Sequence, residues 1–427
     1  MQTNSLKGET EVKGKIIKDV MIHKRQSYRW VVLSICWFGY IIAMMQRLSI
    51  GPLAPFLKEG LSLTSSQIGM FTSAIFLGYM ISLVPAGILV DKANERWVLS
   101  FSEITGGAFV VCMFFVSHLY QALIFMCLCG IGLGAILPAT SKAILTWFPE
   151  HERGTAMGIK HTAINIGGII GSVTLPSISL ALSWRHSYMI IGVAGMIVGI
   201  ATLLYYRPFQ IEVQADLNKR ARESILEVLR DRNILLVTLA GFCATIEFAL
   251  ITYFVLFLKE ALGFAIVTAG FLLAVLEGGG GLGKPILGFI SDIAFHGSRK
   301  RAYLLVCIVW TIASLIVAFI SPILPTYLLV VLFIIIGMST IGWSGIHFTF
   351  IAELGGKNRV GTATGISTII LTFGGMLWPP VVGKIIDMTG GYRWMWIFVS
   401  VLGVAASVLL LFVRESGDDL EHSNKST

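Results

Sequence analysis

Gly154-Thr155-Ala156-Met157-Gly158-Ile159 recurs as Gly361-Thr362-Ala363-Thr364-Gly365-Ile366, 207 residues further on. A glycine pair follows each copy at the same distance, Gly167-Gly168 in the first and Gly374-Gly375 in the second. Upstream, Gly87-Ile88-Leu89-Val90-Asp91 resembles Gly288-Phe289-Ile290-Ser291-Asp292, and downstream Trp184-Arg185 resembles Tyr392-Arg393. Matches in one order and at nearly one offset mark an internal duplication. The 427-residue chain therefore reads as two versions of one half.

Each half is built from long apolar runs. Hydrophobic residues make up 55% of the chain and charged residues only 13%, against about 25% charged in a soluble domain. A lipid bilayer can accept that much apolar surface, and a water-soluble core of this size cannot. A membrane-spanning helix needs roughly 20 mostly apolar residues. Twelve such spans are predicted, at 30–52, 66–90, 97–117, 120–145, 156–180, 185–206, 233–258, 265–290, 302–321, 325–350, 360–384 and 394–413. The fold class expected is an all-α membrane protein of two six-helix bundles. Six spans per half make the two halves run in the same direction, a parallel repeat about an axis along the membrane normal.

The predicted organisation is a tail at 1–29, a first bundle at 30–206, a linker at 207–232, a second bundle at 233–413 and a tail at 414–427. The linker's Glu, Arg and Leu pattern suits a short helix on the membrane surface. Lys and Arg concentrate in the first tail, in the linker and at Arg299-Lys300-Arg301, whereas Lys58, Arg185, Lys259, Lys384 and Arg393 fall on the other side. The positive-inside rule then places both termini in the cytoplasm of a multi-pass plasma-membrane (inner-membrane) protein. The net charge of +8 comes as short bursts between apolar runs, which is loop charge and not a nucleic-acid-binding face. Cys36, Cys112, Cys127, Cys129, Cys243 and Cys307 all lie in apolar segments and read as fillers. No phosphate-binding loop, metal-spaced cluster or Ser–His–Asp set stands in a polar setting, so no enzyme, cofactor or metal is expected.

Gly87-Ile88-Leu89-Val90-Asp91-Lys92 with Arg96, and Gly288 to Asp292 with Arg299-Lys300-Arg301, resemble the signatures between spans two and three and between spans eight and nine of the major facilitator superfamily. The stretch Met45–Val90 is similar to the anion–cation symporter and organophosphate permease branch. So are Pro138-Ala139-Thr140-Ser141-Lys142, Trp147-Phe148-Pro149 and Glu152-Arg153-Gly154. The resemblance covers nearly the whole chain. It implies a secondary transporter working by alternating access, a small organic anion as cargo (carboxylate, sulfonate or phosphate ester), proton symport and a monomer. It also implies gating roles for Asp91, Arg96, Asp292 and Arg299, with the aspartates capping helix N-termini, where carboxylates are favoured. Two departures stand out. Asn94-Glu95 replaces the usual Gly-Arg, and Leu133 and Met126 stand where the symporters carry an acid and an arginine. Span five also lacks the Gly-Pro pair of drug–proton antiporters.

Charged residues inside a membrane are rare and mark function. Arg47, deep in span one, offers a planar fork of donors suited to a carboxylate or phosphate; the alternative is an arginine reaching the outer headgroups. Tyr40 lies two turns earlier on the same face. Glu247 stands 200 residues after Arg47, so the two occupy near-equivalent places in the halves. Glu247 is a candidate proton carrier or resting partner of Arg47, since desolvation disfavours a charged carboxylate. Glu277, before four glycines at 278–281, is a second proton-carrier candidate, the alternative being a carboxylate bonded to a neighbouring helix; the glycines allow a bend or a close helix approach. Lys160 and His161 open span five and are candidates to meet the anion. The Lys160 stem can instead reach the headgroups. Trp343, His347 and Trp378 are candidate cavity residues or packing. Lys284 and Glu103 read as structural. Two other functions remain open from the residues: a carrier or exporter of a cation or zwitterion, with the acids binding cargo, and a transporter-like membrane sensor.

Overall fold

The computed structural model describes residues 28–207 and 225–414, with the side chains of Asp91, Lys357 and Asn358 outside that set. The first half holds α1 (Tyr28–Gly60), α2 (Ser65–Val90), α3 (Glu95–Phe115), α4 (Leu119–Trp147), α5 (Glu150–Ala181) and α6 (Trp184–Tyr205). The second holds α7 (Arg232–Glu260), α8 (Ile266–Ile293), α9 (Arg299–Ile320), α10 (Thr326–Gly356), α11 (Arg359–Thr389) and α12 (Arg393–Leu411). Each is long and apolar enough to cross a bilayer, so the twelve expected spans are present. The tails 1–29 and 414–427 and the linker 207–232 lie mostly outside the described residues. Within the linker, 225–230 are helical up to the cap of α7. There the Asp231 carboxylate accepts from the Asn233 and Ile234 amides.

The first span is longer than the hydropathy suggested, running to Gly60 and not to residue 52. Its extension keeps Leu53, Ala54 and Leu57 fully buried. Pro52 falls in the first turn of the segment Ile50–Gly60, where a missing N–H costs no intrahelical bond. Arg47 is therefore near the middle of its helix and not toward its far end.

Four helices are interrupted: α1 at Ser49, α4 at Gly134-Ala135, α7 at Thr245-Ile246 and α10 at 341–343. They are the first members of the four consecutive helix triplets. Backbone groups freed within a membrane must be bonded by other means. Ser49 Oγ donates to the Gln46 carbonyl at 2.8 Å and Thr245 Oγ1 to the Phe242 carbonyl at 2.7 Å. The breaks turn Arg47, Glu247 and Trp343 toward the axis between the bundles.

Small residues set how closely the helices approach. A Cβ on Gly78 of α2 would meet the Cys127 carbonyl of α4, and one on Gly130 of α4 would meet the Ile75 carbonyl of α2. In the second half, α8 uses its glycine run the same way. A Cβ on Gly279 would lie 2.6 Å from the Ile334 carbonyl and one on Gly283 2.8 Å from Met338 Cα, both on α10. Of the two readings of that run, close approach is what the helix uses it for.

The halves meet along α2 with α11, α5 with α8, and the outer segments of α1 and α7. At the face away from Tyr28 and Arg414, here the far face, Lys58 Nζ lies 2.8 Å from Glu260 Oε1. Lys259 Nζ lies 2.6 Å from Glu59 Oε1. Each half thus gives one lysine and takes one. Tyr392 Oη donates to Glu260 at 2.7 Å. The Asp387 carboxylate on α11 accepts from the Ser65 and Ser66 amides, both at 2.8 Å, capping α2 of the other half. Exposed ion pairs are worth about 0–1 kcal/mol each. Two such pairs sum to at most about 2 kcal/mol, so replacing both Lys58 and Lys259 by Gln is expected to raise the population open at the far face by up to about 30-fold. Labelling of a cysteine placed at Ile251 with a membrane-impermeant thiol reagent measures this, and unchanged labelling would show that the clasp holds nothing.

Candidate substrate cavity

Between the bundles lies a cavity of about 230 Å³, small beside sites that hold drug-sized ligands. Its wall includes Tyr40 and Arg47 from α1, Phe76 and Tyr79 from α2, and Asn165 from α5. The second half adds Glu247 and Phe248 from α7, Glu277 and Lys284 from α8, and Trp343 from α10. The interrupted helices supply three of its charged or hydrogen-bonding groups at their breaks.

The Arg47 guanidinium lies 4.4 Å from the Phe76 ring centroid, 4.6 Å from Tyr79 and 5.7 Å from Phe248. Aromatic faces attract a cation without consuming its hydrogen-bond donors. Its Nε is buried without a hydrogen-bond partner. Among the described residues no carboxylate lies within 4 Å of Arg47. Tyr40, 5% exposed, lines the same wall.

Glu247 sits across from Arg47 and accepts from Trp343 Nε1 at 2.8 Å. Its near-equivalence to Arg47 is visible in the burial patterns of 41–50 and 241–250, which are identical position by position. Lys284 and Arg47 both act electrostatically on Glu247, so it serves two cations and directly pairs with neither. Glu277, 3% exposed, accepts from Ser172 Oγ at 3.4 Å and leaves Oε1 buried without a partner. A Cβ on Gly168 would collide with that carboxylate, which is why α5 has glycine there.

The other candidates divide. Lys160 does not reach a headgroup: it is fully buried and donates to Ser141 Oγ at 2.8 Å, with Tyr40's ring 5.7 Å away. It stands behind Tyr40 and not on the cavity wall. His161 is exposed, its Nδ1 against the Met157 carbonyl of its own helix. His347 is fully buried beside Trp343 and bonds Ser367 Oγ at 2.9 Å. Trp378 donates to the Phe242 carbonyl at 2.9 Å and packs against the Phe242 ring at a tilt and the Phe398 ring edge-on. These three lie off the cavity. Lys284, read as structural from sequence, is on its wall. The signal was present: Lys284 follows Glu277 by seven residues, two turns along one helix face. Asn165 was overlooked because a lone amide in an apolar helix carries no charge to draw attention.

The gating candidates sit toward the terminal face. Arg299 bonds Asp292 at 2.5 Å, Ser291 Oγ at 2.9 Å and Glu353 of α10 at 3.0 Å, all within the second half. Asp292 is largely exposed. Arg96 donates through Nε to the Leu203 carbonyl of α6 at 2.6 Å. The Asp91 side chain is outside the described residues. The residues departing from the usual motif have their own bonds. Asn94 caps α3 by accepting from the Arg96 amide, and Glu95 pairs with Lys142 of α4 at 3.1 Å.

Two parallel bundles around a charged central cavity, clasped at one face, define a two-domain membrane carrier. The chain belongs to the Major Facilitator Superfamily, which it matches over residues 36–379 and 296–426. A hexuronate transporter of Bacillus subtilis is 22% identical, over 90% of this chain and 94% of its own. A probable sulfoacetate transporter of Cupriavidus necator is 26% identical, over 92% and 95%. Among solved structures, an inward-facing, occupied bacterial homologue of the human lysosomal transporter Spinster superposes with a TM-score of 0.76. It is 19% identical, over 90% of this chain and 97% of that one.

Proposed function

We propose that this carrier moves a small organic anion across the plasma membrane, with both termini in the cytoplasm and the far face outside. The observation that carries the reading is Arg47: a guanidinium in the central cavity, held by aromatic rings, with no carboxylate within 4 Å among the described residues. A cation taken out of water and left unpaired costs several kcal/mol, so the site is built to receive a negative group. The two relatives named above are described as carriers of carboxylate or sulfonate solutes, which agrees with that charge.

The cycle follows from the geometry. With the far-face clasp closed, the cavity exchanges with the cytoplasmic side. Anion binding at Arg47 and the opposing wall draws the bundles together, and release of the clasp exposes the site outside. Glu247 and Glu277 are the proposed proton carriers, placed where a proton taken up removes a negative charge from beside the anion.

A thermal-shift screen of the purified protein against carboxylates, sulfonates, phosphates, amines and neutral sugars tests the charge class. A ligand at a hundredfold excess over its Kd stabilises the folded state by about 2.7 kcal/mol. Stabilisation by acids, together with their uptake into vesicles holding the protein, is the expected result. Stabilisation confined to amines would overturn the reading and assign the acidic pair as the cargo site. Acid binding without flux would make the protein a sensor.

A further inference from the structure

We propose that Lys284, positioned by Asn165, forms a second anion subsite facing Arg47, so that the cargo is a compact dianion with an acidic group at each end. This deepens the organic-anion reading and rests on it.

Lys284 Nζ has three protons to donate, and its hydrogen bond is to the Asn165 amide oxygen at 3.0 Å, a neutral acceptor. No carboxylate lies within 4 Å of it among the described residues. Glu247 is near enough to act on its charge but spends its hydrogen bond on Trp343. Lys284 thus repeats Arg47's condition: a partly buried cation on the cavity wall with no acid bonded to it. The two come from opposite halves, Arg47 from α1 and Lys284 from α8.

Asn165 holds this second site in place. It belongs to α5 of the first half, yet its Nδ2 donates to the Glu277 carbonyl of α8 at 3.3 Å while its Oδ1 holds the ammonium. A carbonyl oxygen is thus already present where an anionic oxygen would sit. A cargo carboxylate or sulfonate exchanging for it gains a charge-assisted bond, stronger than the neutral one it displaces. One acidic end reaches Arg47 and the other Lys284. The cavity of about 230 Å³ limits the length of such a molecule. A dianion also ties one bundle to the other, which a monoanion held at Arg47 alone does not. Bundle closure is then coupled to recognition of both ends.

The test uses wild-type protein, Lys284→Gln, Lys284→Arg and Arg47→Gln in detergent. Thermal-shift titrations are run with sulfoacetate and succinate as dianions and with methanesulfonate, propionate and glucuronate as monoanions. The wild type is expected to bind at least one dianion about ten- to a hundredfold more tightly than its matched monoanion, the worth of one extra charge-assisted bond. Lys284→Gln should abolish that ratio while retaining monoanion binding, and Lys284→Arg should restore it. A wild type that binds glucuronate or propionate as well as either dianion overturns the second subsite, whatever the variants do. An equal loss for all acids in Lys284→Gln also overturns it and leaves Lys284 a structural partner of Glu247. If no acid shifts the wild type, or Arg47→Gln binds all of them normally, the organic-anion reading itself fails.

Discussion

Arg47→Gln is expected to reduce anion transport by about 30- to 4,000-fold without reducing the amount of folded protein. The range follows from the cost of truncating one partner of a buried, hydrogen-bonded charge pair, about 2–5 kcal/mol. Two features argue that folding will survive. The guanidinium holds no carboxylate within 4 Å among the described residues, so its removal orphans no buried acid. The shorter amide gives up part of the ring contacts with Phe76 and Tyr79, but it also removes an unpaired buried charge, which is itself destabilising. Initial uptake rates in vesicles, normalised to incorporated protein, measure the effect. Uptake within threefold of wild type would mean that Arg47 only fills space between the rings.

The second large effect is expected at the contact between α2 and α4. Substituting both Gly78 and Gly130 by Val should remove nearly all monodisperse protein after solubilisation. The two glycines face each other's helices with main-chain atoms, not pliable side chains, in the way. A Cβ at Gly130 would stand 2.9 Å from the Tyr79 amide nitrogen, and one at Gly78 2.8 Å from the Ile131 nitrogen. Overpacking a core costs typically 1–3 kcal/mol where side chains can adjust, and backbone cannot adjust without separating the helices. Tyr79 rides on the same turn, so the damage reaches the cavity. Gly130→Ala alone should lower Tm by several degrees, at roughly 2–4 °C per kcal/mol for a unit of this size. Gly154→Ala is the control: its Cβ meets nothing within 4 Å, and alanine favours a helix by about 1 kcal/mol over glycine. A G78V/G130V protein with wild-type Tm would refute the close-approach account.

The fold was legible because bilayer spans and duplications leave long, redundant signals. Twelve apolar runs and a repeated Gly-Thr-Ala motif survive boundary errors of several residues. The site was legible only in part, and the reason is geometric. Arg47, Glu247 and Glu277 could be found because charge in an apolar run is conspicuous. Their neighbours could not be sorted without the helix breaks, which decide which side chains face the axis. His347 and Trp378 carry polar atoms that sequence cannot distinguish from cavity groups, yet they spend them on Ser367 and the Phe242 carbonyl. Lys160 and Lys284 could not be placed on or off the cavity wall from sequence for the same reason. One is sealed behind Tyr40 and the other stands on the cavity wall, although their apolar surroundings in sequence are similar.

The far-face clasp carries a consequence for how such a chain could arise. Lys58-Glu59 and Lys259-Glu260 are one dipeptide occurring twice, 201 residues apart, and each lysine reaches the other copy's glutamate. That is an isologous contact, in which a patch is complementary to itself across a twofold axis. A half-length chain bearing a single Lys-Glu would close against a second copy of itself with the same two bonds. Joining two such halves in one chain needs no new partner at this seam, because each side of it is already complementary to the other.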